Sequence, residues 1–186
     1  MTDGAPGRPK TRGHGPRRAG RQVALEAVFE AEFGQRTAAA VLDRILAERP
    51  PGASAATLAR AVVEGVVGDR QGIDDLIAAT APAYPVQALA RIDRALLRCA
   101  LSEVLHCPAT PQRAAIAEWV ELARTYSGEP ARRLVNGVLG RVAATMAPGP
   151  PEHPAREGPT ARQEGARDRV DLRSDEEDRR RAAGRR

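Results

Sequence analysis

An all-α fold is predicted by three features of this sequence. Apolar residues recur three and four positions apart along most of residues 17–147, and no stretch shows the strict alternation of a half-buried strand. Alanine is abundant, whereas aromatic residues make up only 3% of the chain. That composition favours helix over strand. Prolines fall between the periodic stretches or at their first residue, as helix ends require.

Taken in order, the first stretch spans residues 18–33, with a stripe of Leu25, Val28 and Phe29. The second spans 37–48 and is closed by Pro50 and Pro51. Residues 55–79 read as one long helix that gathers Leu58, Val62, Val63, Val66, Ile73, Leu76 and Ile77, and Pro82 and Pro85 end any continuation. Residues 88–106 differ, because Leu89, Ile92, Leu96, Leu97, Cys99, Leu101, Val104 and Leu105 spread round most of the wheel. A helix apolar over most of its circumference is surrounded by others, so this one is expected at the centre of a bundle.

Residues 112–126 place Ala115, Ile116, Trp119, Val120, Leu122, Ala123 and Tyr126 in one arc, opposite Glu118, Glu121, Arg124 and Thr125. Thr110 is the expected N-cap, with Pro111 in the first turn. Residues 130–146 form the last stripe, from Leu134 to Met146, with Gly128 as the break before it. Gly137 and Gly140 share a side, where another element is expected to approach closely.

The sequence therefore reads as one helical domain, 17–147, between two arms expected to be disordered. Residues 1–16 are rich in Gly, Pro and basic side chains, and 148–186 mix Pro, Gly, Arg and acids. Neither contains enough apolar surface to offset the entropy of ordering. Residues 1–21 carry six basic groups against Asp3, close to the whole net charge of +5, while 22–147 hold 13 basic and 14 acidic groups. A basic leading segment on a neutral body points to a polyanionic partner.

Several function classes lack support in the sequence. No apolar run is long enough to span a bilayer and no signal-peptide pattern opens the chain, so a cytoplasmic protein without membrane contact is expected. Cys99 and Cys107 do not make a disulfide framework. Together with His106 they match no zinc spacing, and no phosphate-loop or dinucleotide-binding glycine pattern follows a strand. No metal, cofactor or catalytic site is expected. Glu103 falls inside the apolar arc of the central helix, where a buried acid with an arginine or backbone partner would organise two helices.

Arg17, Arg18 and Arg21 break two local rules together. They point to the side of the first apolar stripe, and they sit at a helix N-terminus, where the dipole disfavours positive charge. The pattern suits phosphate binding if the turn projects beyond the bundle or Gly20 loosens it. A solvated basic terminus with snorkelling stems explains it equally well.

Four segments, RRAGRQVALEAVF (17–29), RIDRALLRCALSEVL (91–105), AIAEWVELARTY (115–126) and RLVNGVLGRV (133–142), resemble in order those of the NusB family. The resemblance implies a pair of small helical bundles around a central helix. It also implies a non-enzymatic antitermination factor that binds boxA, a short single-stranded element of ribosomal RNA transcripts. Its implied partners are the small-subunit ribosomal protein that serves as NusE and the transcription elongation complex.

On matching positions, the resemblance makes Arg17, Arg18, Arg21 and Arg133 RNA contacts, with Arg132 assisting, and turns Asp93 toward the ribosomal protein. For Asp93, a helix-N-terminal acid favoured by the dipole is the competing structural explanation. Pro130 and Leu134 depart from the family pattern, which often has an acid and a phenylalanine there, and Phe29 replaces a common tyrosine. Two alternatives stand beside this reading: a helical protein-interaction module that ignores RNA, and a module related to the leading domain of ribosomal-RNA cytosine methyltransferases.

Overall fold

The computed structural model describes residues 15–146, and within them the chain forms seven α-helices and no strand. The expectations for the two arms fall almost wholly outside these residues. The helices are α1 (Pro16–Ala31), α2 (Ala38–Glu48), α3 (Ala53–Gly68), α4 (Arg70–Thr80), α5 (Arg91–His106), α6 (Gln112–Ser127) and α7 (Glu129–Met146). A 3-10 turn, Val86–Ala88, precedes α5. Helices α1, α2 and α3 pack on one another, and α6 pairs with α7. Helix α5 touches α1, α3, α4, α6 and α7. It is the central element that its apolar circumference requires, and residues Ala95 to Glu103 are all buried.

The stretch expected as one helix over 55–79 is two. At Asp69 the backbone leaves helical geometry (φ −132°, ψ 37°). Its N–H still donates to the Gly65 carbonyl, closing α3, while its own carbonyl accepts from Ile73 N and opens α4. The break leaves Ile73 and Ile77 fully buried in the core, on a helix that touches α5.

Helix α5 also starts three residues later than expected. The Nη1 of Arg94 donates to the carbonyls of Val86, Gln87 and Leu89 at 3.2–3.4 Å, so these carbonyls are engaged before a helix can claim them. Thr110 does not cap α6, because Pro111 is the N-cap residue and its carbonyl accepts from Ala114 and Ala115. Gly128 makes the break before α7 at φ +86°, a left-handed conformation that suits glycine.

Gly20 is buried within an unbroken α1, so it does not loosen the helix as the sequence allowed. A Cβ there would stand 2.6 Å from the Ala55 carbonyl oxygen, and its absence is what lets α1 close on α3. Gly137 and Gly140, by contrast, face open space, and no element approaches them.

Charge is buried as well as apolar surface. The Glu32 side chain, 5% exposed at the end of α1, accepts from Arg94 and Arg98 of α5, and Arg98 is also held by both Asp74 oxygens at 2.8 Å. Burial disfavours the Arg98 charge, but the Asp74 hydrogen bond and the Asp74 and Glu32 carboxylates outweigh it and raise its pKa. This network ties α1, α4 and α5 together where apolar packing alone would not choose a register.

Candidate nucleic-acid interface

The three leading arginines have three different fates. Arg17 is exposed and makes no ion pair among the described residues. Arg18 is half-buried, its Nη1 3.3 Å from Glu118 Oε2 on α6, and its Nε is buried without a partner. Neither shares its turn with an acid, and no side chain caps that turn.

Arg21 corrects the sequence expectation. It is 2% exposed and makes a bidentate pair with Glu103, Nε to Oε2 at 2.8 Å and Nη2 to Oε1 at 2.6 Å. Trp119 Nε1 donates to the same carboxylate at 2.7 Å. In this position Arg21 has no surface to offer a phosphate. The apolar stripe of α1 faces the core, and a guanidinium on the same side follows it inward because Glu103 awaits it there. Glu103 accordingly has the arginine partner that its place in the apolar arc suggested.

Arg132 and Arg133 stand on the first turns of α7. Arg132 Nε donates to both Glu129 oxygens at 2.9 Å, and Arg133 lies 3.9 Å from the same carboxylate. The Arg132 hydrogen bond, followed by the charges of Arg132, Arg133 and Arg124, holds the Glu129 carboxyl below its ordinary value. Arg124, near the end of α6, pairs with Glu121 at 2.9 Å and belongs to the same group. The helical wheel sets Arg124 on the outer side of α6 and assigns it no role, since a wheel cannot show that the outer edge of α6 adjoins the start of α7.

Tyr126 is 45% exposed instead of closing the α6 stripe, and its hydroxyl accepts from Gln22 Nε2 at 3.2 Å. The Arg18–Glu118 and Gln22–Tyr126 contacts, one helical turn apart on α1, draw the first half of α1 along α6. The α1 arginines and the α6–α7 arginines are thus mounted on elements joined through α6.

Asp93 is half-buried in the first turn of α5, and its Oδ1 has no hydrogen-bond partner among the described residues. Its neighbour Ile92 lines a groove of about 520 Å³ with Val23, Phe29 and Tyr126, edged by Glu26 and Arg49. Next to it, Arg91 lies 4.6 Å over the Phe33 ring, which meets Phe29 edge-on. Cys99 is fully buried, which pushes its thiol pKa well up and keeps it protonated at neutral pH. Among the described residues no three His, Cys, Asp or Glu side chains gather as metal ligands, and no helix is long and apolar enough to cross a membrane.

The chain as a whole is similar to known proteins. The transcription antitermination protein NusB of Heliobacterium modesticaldum is 37% identical over 150 residues, covering 81% of this chain and 70% of that protein. The NusB of Dehalococcoides mccartyi strain 195 is 35% identical over 131 residues, 70% of this chain and 92% of its own length. The solved structure of T. maritima NusB superposes with a TM-score of 0.65 at 33% identity, over 72% of this chain and 94% of that one. A structure of the antitermination factors NusB and NusE in complex with dsRNA shares the fold (TM-score 0.63, 20% identity, 70% and 97% covered). The NusB family model itself matches residues 18–144, and this chain belongs to the NusB family of transcription antitermination factors.

Proposed function

We propose that this protein acts without catalysis, in the cytoplasm, by binding single-stranded boxA-type RNA in ribosomal RNA transcripts together with a small-subunit ribosomal protein in the NusE role. Within the elongation complex it serves as the adaptor. The observation that carries this reading is the first turn of α1, where Arg17 is exposed, Arg18 is held by a single 3.3 Å pair, and no acid shares the turn. A helix start disfavours cations and favours anions, so a phosphate held by these two arginines would relieve the first turn. Arg124, Arg132 and Arg133 extend the cationic surface to α7. Arg21 is reassigned from contact to support, since it holds α1 against α5 and α6 and so positions Arg17 and Arg18.

The ribosomal partner is assigned to the α1–α5 groove beside Asp93. Asp93 is only half-buried and no donor meets its Oδ1 among the described residues, so its charge is left for a cation or N–H of a partner to meet at the accessible part of the carboxylate. The groove supplies the apolar surface and Asp93 the polar anchor. The related complex of NusB and NusE with dsRNA supports RNA and a NusE protein as the partner classes. The sequence before Arg17 contributes three more basic groups, Arg8, Lys10 and Arg12, against Asp3.

The test is fluorescence anisotropy on labelled single-stranded RNA across a salt series, with and without the ribosomal protein. Three or four phosphate contacts give a slope of log K against log salt of about −2 to −3. Changing Arg17 and Arg18 together to alanine should flatten it by about 1.4, two contacts' worth. An unchanged slope and affinity would overturn the assignment of these arginines. Ribosomal-protein binding with no RNA affinity at any salt would favour the plain protein-interaction module.

A further inference from the structure

A second cavity, of about 440 Å³, lies at the far end of α1 from Arg17. Glu32 follows Arg17 by fifteen positions, which puts the two ends roughly 20 Å apart along the helix. The end of α1, the loop to α2, the end of α3 and the start of α4 enclose it. Its charged lining is Arg36, Arg70 and Arg98 against Glu32 alone.

Both Glu32 oxygens are already taken by Arg94 and Arg98, and both Asp74 oxygens by Arg98. Arg70, with its side chain 63% exposed, reaches Glu32 only at 3.9 Å, beyond hydrogen-bond distance. Arg36 is exposed and makes no ion pair among the described residues. The lining therefore carries two positive charges in excess, both at the mouth. Thr37 lines the same cavity. Its Oγ accepts from Ala40 N, which leaves the hydroxyl hydrogen available to donate. The wall includes Val66 and the rim includes Val67, which is 56% exposed.

We propose that this cavity binds a small phosphomonoester of nucleotide size. A phosphate monoester carries about −1.5 to −2 charge at neutral pH, matching the excess. Arg36 and Arg70 grip its oxygens, with Thr37 donating a further hydrogen bond. Its organic part lies on the valines, in a volume within the ordinary range for such ligands. The saturated Glu32–Arg98 pair forms the floor, which fixes the cavity's shape without competing for the ligand. The site is separate from the proposed RNA surface and does not rest on that reading.

Isothermal titration of the full chain with adenosine 5′-monophosphate, adenosine and inorganic phosphate tests this. The monophosphate should bind one to one, adenosine should give no heat, and inorganic phosphate should bind about ten-fold more weakly for want of the apolar contacts. Changing Arg36 and Arg70 together to alanine should weaken monophosphate binding at least about ten-fold, with the helical circular dichroism unchanged because both side chains are exposed. The Arg17→Ala, Arg18→Ala double variant should bind it as the parent does. No heat at millimolar monophosphate, binding indifferent to Arg36 and Arg70, or binding abolished by loss of Arg17 and Arg18 would each overturn the proposal.

Discussion

The arginines of this protein are sorted by what waits for them, and Arg21 is the clearest case. Its pair with Glu103 is buried on both sides (side chains 3% and 0% exposed) and shared with the Trp119 indole. Removing one partner strands a buried charge, so Arg21→Met should destabilise the fold by about 3–5 kcal/mol. Adding Glu103→Leu should restore part of that loss, because the two charges are then absent together. Urea unfolding followed by Trp119, the sole tryptophan, measures both variants, and strictly additive losses would contradict the pairing.

Glu129 poses the opposite, exposed case. Its carboxyl lies below the ordinary value of 4.5, chiefly through the Arg132 hydrogen bond. A depressed acid contributes while ionised, so the pair is intact at neutral pH and is lost only as pH falls through that lowered value. Glu129→Gln opens it at neutral pH and removes a negative charge from the proposed RNA path. RNA affinity should then rise about two- to five-fold, the worth of an exposed pair, in the same anisotropy assay. Weaker binding would mean that Glu129 orients Arg132 rather than restraining it.

At the scale of elements, local rules placed the helices, and neighbours trimmed them. The period of α3 and α4 is continuous through Asp69, so no wheel shows the break. It is decided by backbone hydrogen bonds at Asp69 and by the burial of Ile73 and Ile77 in the core. The late start of α5 follows from an arginine on its own second turn, a contact that helical periodicity does not encode. Close approach is likewise a pairwise property. Gly20→Ala improves intrinsic helix propensity by about 1 kcal/mol. Its Cβ nevertheless meets a backbone oxygen of α3 that has little room to retreat, so a net loss of about 1–2 kcal/mol is expected. A thermal melt that shows stabilisation would mean that α1 and α3 separate easily.

At the scale of the whole molecule, the helical body is bound together by one apolar core and two buried charge networks, Arg21–Glu103–Trp119 and Glu32–Arg94–Arg98–Asp74. Both run through α5, which therefore links the α1 surface proposed for RNA to the groove beside Asp93. Separate surfaces should respond separately. Asp93→Ala should weaken capture of the ribosomal protein by about 1–3 kcal/mol, the worth of a hydrogen bond to a charged group, while the salt slope on RNA alone stays as it was. Surface-immobilised partner and anisotropy measure the two, and a parallel loss of both would place Asp93 in the structural frame instead.

The order of the helices apart from the break at Asp69, the central place of α5, the burial of Trp119 and Glu103 and the excess of leading arginines were legible in the amino-acid string. Each depends on spacing along one helix or on the sign of a charge, and both are local properties. Which arginine turns inward, where Tyr126 is left exposed, why Arg124 joins the α7 group and which carboxylates are already saturated were settled only when helices distant in sequence met. A side chain's exposure and partners are properties of that meeting, and no periodicity within a single helix contains them.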